Sequence, residues 1–386
     1  MYAKCKSMDE ARKVFDAIAR PDVVSYTALI SGYADSDQEE AALELFTRMV
    51  SKPGSCEPNH LTFVAALKAC SNLATRNGDK MGSLEKGVVL HARAAATRNL
   101  RHIYVGNSLV DMYSKCGSMV DARMVFDRME EHDVVSWTSL LLGYAENSDN
   151  RLAVELFGCM KARVHCPSPN ARACVPALVA CGNLADLEAG KIIHAGICRS
   201  GLEDDEFVAA SLVGFYGKCG DMTDAHLNFD GLLEKPDLAT WSSLITGYSR
   251  QGSSDRVLDL FGQMKDTGVK ADGVIFLAIL TACTHAGLVE TGKSYFRAMV
   301  AEFGITPGIQ HYCCMVDLLG RSNRLEEAWS LAKTMPVEAD AAVWRALLSA
   351  CQKWRNATIG RPAFESLAES KSEYVLMANI YAMQEM

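Results

Sequence analysis

The segment Asp111-Met-Tyr113-Ser-Lys-Cys116-Gly117-Ser-Met119-Val-Asp121-Ala122-Arg-Met-Val125-Phe126-Asp-Arg-Met129 decides the fold, because the chain repeats its core three times. The phrase from Tyr113 to Ala122 stands upstream as Tyr2-Ala-Lys-Cys5-Lys-Ser-Met8-Asp9-Glu-Ala11. It stands downstream as Tyr216-Gly-Lys-Cys219-Gly220-Asp-Met222-Thr-Asp224-Ala225. Self-similarity of this kind marks a repeat array. The copies lie 111 and 103 residues apart, too far for one helical hairpin and right for three hairpins of roughly 31 to 37 residues. The unit is a triplet of unequal repeats.

Within the segment, Ala122, Val125, Phe126 and Met129 fall at i, i+3, i+4 and i+7, which makes one apolar stripe of a helix. Val134-Val-Ser-Trp137-Thr138-Ser-Leu140-Leu-Leu-Gly143-Tyr144 carries a second stripe. Gly117-Ser118 punctuates the helices, with Ser118 and Asp121 at capping spacing. Val-rich stretches such as Asp133-Val-Val-Ser are too short for strands. The expected fold is all-α, a right-handed α-solenoid of antiparallel helix-turn-helix repeats whose bare faces are covered by stacking.

Composition allows such a core. Of 386 residues, 49% are apolar and 22% charged, ordinary for a folded chain. The longest apolar run, Val274 to Leu280, is far short of the ~20 residues that span a bilayer. No membrane segment is expected. The formal net charge of −8 argues against gripping polyanions by bulk electrostatics, so any nucleic-acid binding must come from a local surface.

Fourteen cysteines are present, and seven are locked to the repeat: Cys5, Cys116 and Cys219 in Tyr-x-Lys-Cys turns, and Cys70, Cys181, Cys283 and Cys351 ending Ala-Cys helices. They read as small buried apolar residues, which implies a reducing compartment. Met1 aligns with Met112, so the first repeat reads as truncated, with no signal or transit segment visible.

The repeats are placed at 23–59, 60–102, 103–133, 134–170, 171–205, 206–237, 238–272, 273–308 and 309–340, after a partial repeat over 1–22. These phrases resemble the pentatricopeptide-repeat proteins of plant organelles, in the subclass whose repeats come as P, L and S triplets. S-type repeats look like 103–133 and 206–237. L-type repeats look like 60–102 and 171–205, with Ala180-Cys181-Gly-Asn-Leu-Ala-Asp-Leu-Glu-Ala-Gly190-Lys-Ile-Ile-His194. P-type repeats look like 23–59, 134–170 and 238–272. Ala282-Cys283-Thr-His285-Ala-Gly287 is similar to the family's last L-type variant, and Val316-Asp-Leu-Leu-Gly320-Arg321 with Met335-Pro336 to its last S-type variant. Over 341–386, Val343-Trp344 to Cys351 and Tyr374 to Ala382 resemble two extension motifs, the second cut off by Met386.

No motif for catalysis stands in the chain: no phosphate loop, nucleophile elbow or His-Glu-x-x-His helix. A zinc deaminase needs His-x-Glu and a later Pro-Cys-x-x-Cys, and neither spacing occurs. The reading is of a non-enzyme without cofactor, metal site or small-molecule substrate. Cys313-Cys314 beside His311 and Tyr312 suggests ligands, yet adjacent helical residues point about 100° apart, so a core role is expected. His91 and His194 recur at one place in the L-type repeats, which favours packing.

The resemblance implies that each repeat reads one RNA base with the fifth residue and the last residue. The pairs are Thr27 with Asn59, Asn107 with Asp133, Thr138 with Asn170, and Ser242 with Asp272. By the family's code they imply adenine, uracil, adenine and guanine. Val64 with His102, Val175 with Asp205 and Leu277 with Gly308 imply no preference; Ala210 with Asp237 and Cys313 with Asp340 are off-code. Val24 and Val135, at the second place, are implied to wedge between bases. A purely structural reading makes the same polar residues helix caps, with Ser25 and Ser136 already at a cap position.

The function expected is a sequence-specific single-stranded RNA-binding adaptor in a mitochondrion or chloroplast, serving cytidine-to-uridine editing with a deaminase-bearing partner in trans. A protein-binding scaffold of tetratricopeptide type would keep a fixed 34-residue unit, which these repeats do not. A truncated chain without function is the remaining alternative.

Overall fold

The structure, a computed structural model, describes residues 7–51, 56–76, 78–162, 168–232 and 236–367. Tyr2, Cys5 and the motif from Tyr374 to Ala382 lie outside the described residues. Among those described, all regular structure is helical, in 21 α-helices and one 3-10 turn. They form two compact units, Met1–Leu202 and Glu203–Met386.

The first unit opens with α1 (Met8–Asp16) and continues as helix pairs: α2 (Val23–Asp35) with α3 (Glu39–Ser51), α4 (His60–Arg76) with α5 (Lys80–Ala96), α6 (Ile103–Lys115) with α7 (Met119–Arg128), α8 (Val134–Glu146) with α9 (Asn150–Ala162), and α10 (Ala171–Leu184) with α11 (Leu187–Arg199). The second unit holds α12 (Glu206–Cys219) with α13 (Met222–Asp230), α14 (Leu238–Arg250) with α15 (Ser254–Asp266), α16 (Gly273–Ala286) with α17 (Val289–Ala301), α18 (Ile309–Arg321) with α19 (Leu325–Thr334), and α20 (Ala341–Lys353) with α21 (Ala357–Glu365).

In each unit the first helix of a pair packs on the first helix of the next pair, and the second helix fits between its own first helix and the following one. The first helices therefore make a continuous, closely packed layer within each unit. Small residues set that spacing. A methyl group at Gly143 of α8 would stand 2.3 Å from Ser114 Oγ of α6, so glycine there lets the two helices touch.

The stripe over 119–129 forms as its spacing dictates. Met119, Ala122, Val125 and Phe126 are buried, with the Phe126 ring edge-on to Trp137 at 5.0 Å. Truncating such a ring to alanine typically costs about 3–5 kcal/mol. Met129 is only half-buried, because α7 stops at Arg128 and Met129 caps it in extended backbone.

Each turn between paired helices needs one residue in the left-handed region. Gly117 (φ 82°) and Gly220 (φ 80°) supply it after α6 and α12. Elsewhere Asp37, Ser148, Ala185, Asn323 and Arg355 are held there. Ser118 does not cap α7 as its spacing suggests. Its hydroxyl donates to Asp121 Oδ2 at 2.6 Å, and no backbone N–H of α7 bonds to it.

Candidate nucleic-acid interface

The last residue of each repeat turns out to be the N-cap of the helix that opens the next. Asp22, Asn170, Asp205, Asp237, Asp272 and Asp340 each accept a backbone N–H of the following helix's first turn. Asn59 accepts Thr62 N–H at 3.0 Å, and Asp133 accepts Ser136 N–H at 2.8 Å. Ser25 and Ser136 are therefore not the N-cap residues their sequence position suggested; they stand third in their helices behind Asp22 and Asp133, and Ser136 Oγ completes a capping box by accepting Asp133 N–H at 3.2 Å.

Capping takes only one terminal atom of each of these side chains. In Asn59, Asp133, Asn170 and Asp272 the cap consumes Oδ1. The other terminal atom, an amide nitrogen or a carboxylate oxygen, makes no hydrogen bond among the described residues. It is the atom left for a ligand.

Two of the four pairs are joined by a hydroxyl. Asn107 Nδ2 donates to Asp133 Oδ1 at 3.1 Å, and Ser136 Oγ lies 2.6 Å from Asn107 Oδ1 and 2.9 Å from Asp133 Oδ1, with one proton to share. Burial would raise the Asp133 carboxyl, but hydrogen bonds from Ser136 and Asn107 outweigh it and hold it below its ordinary value. Thr27 Oγ1 meets Thr62 Oγ1 at 2.7 Å, and Thr62 Oγ1 donates to Asn59 Oδ1 at 3.0 Å.

The other two pairs are not bonded. Thr138 Oγ1 donates to Val134 O of its own helix at 2.7 Å. Ser242 and Asp272 share no hydrogen bond. The cause is the third residue of the next helix: Thr62 and Ser136 carry a hydroxyl there, whereas Ala173 and Ile275 do not. Thr62 was missed from sequence, and its signal is the pattern Asn/Asp-x-x-Thr/Ser across a repeat boundary.

Val24 and Val135 are 67% and 56% exposed. Leu61 and Tyr104 in the first unit, and Phe207 and Val274 in the second, are large, apolar and exposed at the same second place. Apolar side chains kept in water at one register read as contact points for a ligand, and sequence singled out only two of them.

Cations stand at the C-terminal ends of two of these first helices. Lys115 at the end of α6 pairs with Glu146 of α8 at 2.7 Å. At the matching joint of the second unit Lys218 faces Arg250, and burial followed by that cation lowers the lysine's pKa. Both line a cavity of about 140 Å3 with Ser242, Ser243 and Thr246.

The cysteines that end Ala-Cys helices are core residues, whereas Cys219 of the Tyr-x-Lys-Cys turn is half-buried. Cys70, Cys181, Cys283 and Cys351 are fully buried. Burial pushes the Cys70 and Cys351 thiols up to about 12 and Cys283 to about 11, away from the thiolate range needed for reactivity. His311 Nδ1 accepts Gly308 N–H at 3.1 Å, so its Nε2–H donates to Gly273 O at 2.8 Å. His91 Nδ1 lies 2.8 Å from the Tyr113 hydroxyl, across adjacent pairs. Among the described residues no group of three or more His, Cys, Asp or Glu is placed to hold a metal, and no helix is long and apolar enough to cross a membrane.

Helix pairs stacked through their first helices, with a polar cap register beside an exposed apolar one, define a helical-repeat protein built to present one surface per repeat. Sequence comparison supplies the family. The PPR repeat family profile matches residues 21–72, and the PPR repeat profile matches 107–134, 135–163, 239–269 and 311–338. A pentatricopeptide repeat-containing protein of Arabidopsis thaliana is 37% identical over 385 residues, 99% of this chain and 51% of that protein. A chloroplastic one is 36% identical, over 99% of this chain and 43% of its own length, and a mitochondrial one 36%, over 99% and 60%. The chain belongs to the pentatricopeptide-repeat family. It spans about half the length of the curated relatives it matches.

The crystal structure of the pentatricopeptide repeat protein PPR10 in complex with an 18-nt psaJ RNA element matches with a TM-score of 0.69 at 15% identity, over 98% of this chain and 60% of that one. At that identity the likeness is one of fold.

Proposed function

We propose that this chain is a sequence-specific single-stranded RNA-binding adaptor acting in a mitochondrion or chloroplast, with Thr27, Asn59, Asn107, Asp133, Thr138, Asn170, Ser242 and Asp272 as its base-reading residues. The observation that carries the reading is the Asn107–Asp133–Ser136 network. It fixes an amide and a carboxylate in one orientation, yet leaves Asp133 Oδ2 and the second N–H of Asn107 unspent. A helix cap alone needs Asp133 and Ser136; it does not need Asn107. Exposed Tyr104 and Val135 flank the network in sequence and offer apolar surface to base faces. The RNA named in the PPR10 structure and the chloroplastic and mitochondrial relatives point the same way.

Within that reading, the P, L, S triplets and the extension motif at Trp344 support a role in cytidine-to-uridine editing, with the deaminase supplied by a partner. The nine repeats over 23–340 give the register A-n-U-A-n-n-G-n-n, 5′ to 3′. Gel shifts with this RNA, a scrambled strand and the duplex test it. The cognate strand should bind tightest, and Asn107→Thr should move preference at the third base from uracil toward guanine. Equal affinity for all three nucleic acids, or none for any, would refute base reading.

A further inference from the structure

We infer that the first unit carries a small-molecule site between α9 and α11 that takes an aromatic carboxylate, its ring filling a place where sister repeats put rings of their own. The site is built from other residues than those proposed to read bases, and the inference does not depend on that reading.

Counted from the helix starts, one joint recurs at α3–α4, α9–α10 and α15–α16, and two of the three are closed by rings. Where α3 meets α4, Phe46 stands edge-on to Phe63 with centroids 5.5 Å apart. Where α15 meets α16, Phe261 stands edge-on to Phe276 at 5.7 Å. Phe303 adds a third ring there, 5.1 Å from Phe276, and Tyr295 of α17 a fourth, 5.5 Å from Phe261. Lys265 Nζ lies 6.0 and 5.8 Å from the centroids of Phe261 and Phe303, within cation–π reach.

Where α9 meets α10 the first phenylalanine is kept as Phe157, and the other rings are replaced. Cys174 holds the place of Phe63 and Phe276, and Ile193 the place of Tyr295. The turn is shorter as well: Ser200 alone separates α11 from left-handed Gly201, whereas Glu302 and Phe303 separate α17 from left-handed Gly304. Nothing larger refills the space. A cavity of about 280 Å3 lies there, its apolar wall made by Phe157, Cys174, Ile193, Ile197 and Leu202, and an apolar cavity of roughly 150 Å3 already holds a benzene ring.

The rim sets the charge. Lys161, at the place of Lys265, and Arg199 are the charged residues that line the cavity among the described residues, and no carboxylate does. Lys161 Nζ rests against Gly196 of α11, 3.4 Å from where a Cβ would stand, which holds the ammonium at the cavity's edge. Arg199 spends Nε on Ala195 O at 2.9 Å and keeps its two terminal nitrogens. A ring beneath Lys161 gains a cation–π contact of the kind Lys265 makes, and a carboxylate on that ring meets the guanidinium of Arg199 in a charge-assisted hydrogen bond. An aliphatic acid lacks the first contact and a neutral arene the second.

Isothermal titration calorimetry of the full chain with 2-naphthoate tests this. One molecule should bind per chain, with a dissociation constant on the order of 0.1–1 mM, roughly tenfold tighter than cyclohexanecarboxylate or 2-naphthalenemethanol. Cys174→Phe puts back the ring of the sister joints, and should abolish naphthoate binding while raising the melting temperature. Arg199→Gln changes an exposed side chain, so it tests the site even where the phenylalanine is not accommodated; it should weaken naphthoate roughly fivefold and leave the neutral alcohol unchanged. Wild-type chain that binds no naphthoate, binds it no tighter than either control, or binds it as well after Arg199→Gln or in a folded Cys174→Phe variant would overturn the site.

Discussion

At the scale of residues, the helix cap and the proposed base reader are one side chain with two terminal atoms, and a hydroxyl three positions on decides whether the fifth-place partner is locked to it. Ser136 is fully buried and its hydroxyl touches both members of the Asn107–Asp133 pair. Ser136→Ala should destabilise the chain by about 1–2 kcal/mol and weaken discrimination at the third base. The pH dependence follows from Asp133, whose carboxyl is held below its ordinary 3.8 by these bonds. A depressed carboxyl contributes stability that is present above the ordinary value and lost as pH falls through the folded one. The melting-temperature deficit of Ser136→Ala should thus be full at pH 7 and shrink below about pH 4. A deficit of the same size at pH 3 would show that the serine acts through packing alone.

At the scale of elements, the repeat fixes a turn geometry more strictly than it fixes the residue that adopts it. After α6 and α12 the left-handed residue is glycine; after α10 it is Ala185, at φ 53°, where the cap N–H still bonds back to Cys181 and Gly182. A left-handed backbone costs a residue with a Cβ roughly 1–2 kcal/mol. Ala185→Gly should therefore raise stability by about 0.5–1 kcal/mol after the entropy of the unfolded glycine is subtracted, read as a shift in chemical denaturation midpoint with an unchanged slope. A loss of stability would mean that the Ala185 methyl makes a contact worth more than the strain.

Helix starts were legible because a polar residue and an apolar stripe announce them together. Asp133 before Val134-Val-Ser-Trp137 is the clear case. Two features were not. Ala185 carries no mark of its backbone angle, and the Thr62 hydroxyl takes its part only by meeting Thr27, a partner 35 residues away in sequence.

At the scale of the whole molecule, what these residues carry and what they omit frame the RNA-processing role proposed for them. A net charge of −8 leaves any binding of RNA to a local surface, and Lys218 and Arg250 line one cavity with Ser242. Downstream, α20 is held by Trp344, whose ring lies 5.7 Å from Trp329, with Lys333 Nζ 4.9 and 5.4 Å from the two rings. If this packed end presents a deaminase near the bound strand, as the extension-motif resemblance implies, the chemistry must come from outside these 386 residues. These 386 residues hold neither His-x-Glu nor Cys-x-x-Cys, and zinc activation of water needs such thiolates and imidazole with a glutamate to move protons. Purified chain should bind its RNA, retain no stoichiometric zinc and convert no cytidine until a deaminase-bearing partner is added. One zinc per chain together with conversion by the chain alone would overturn the need for a separate deaminase, while leaving RNA recognition untouched.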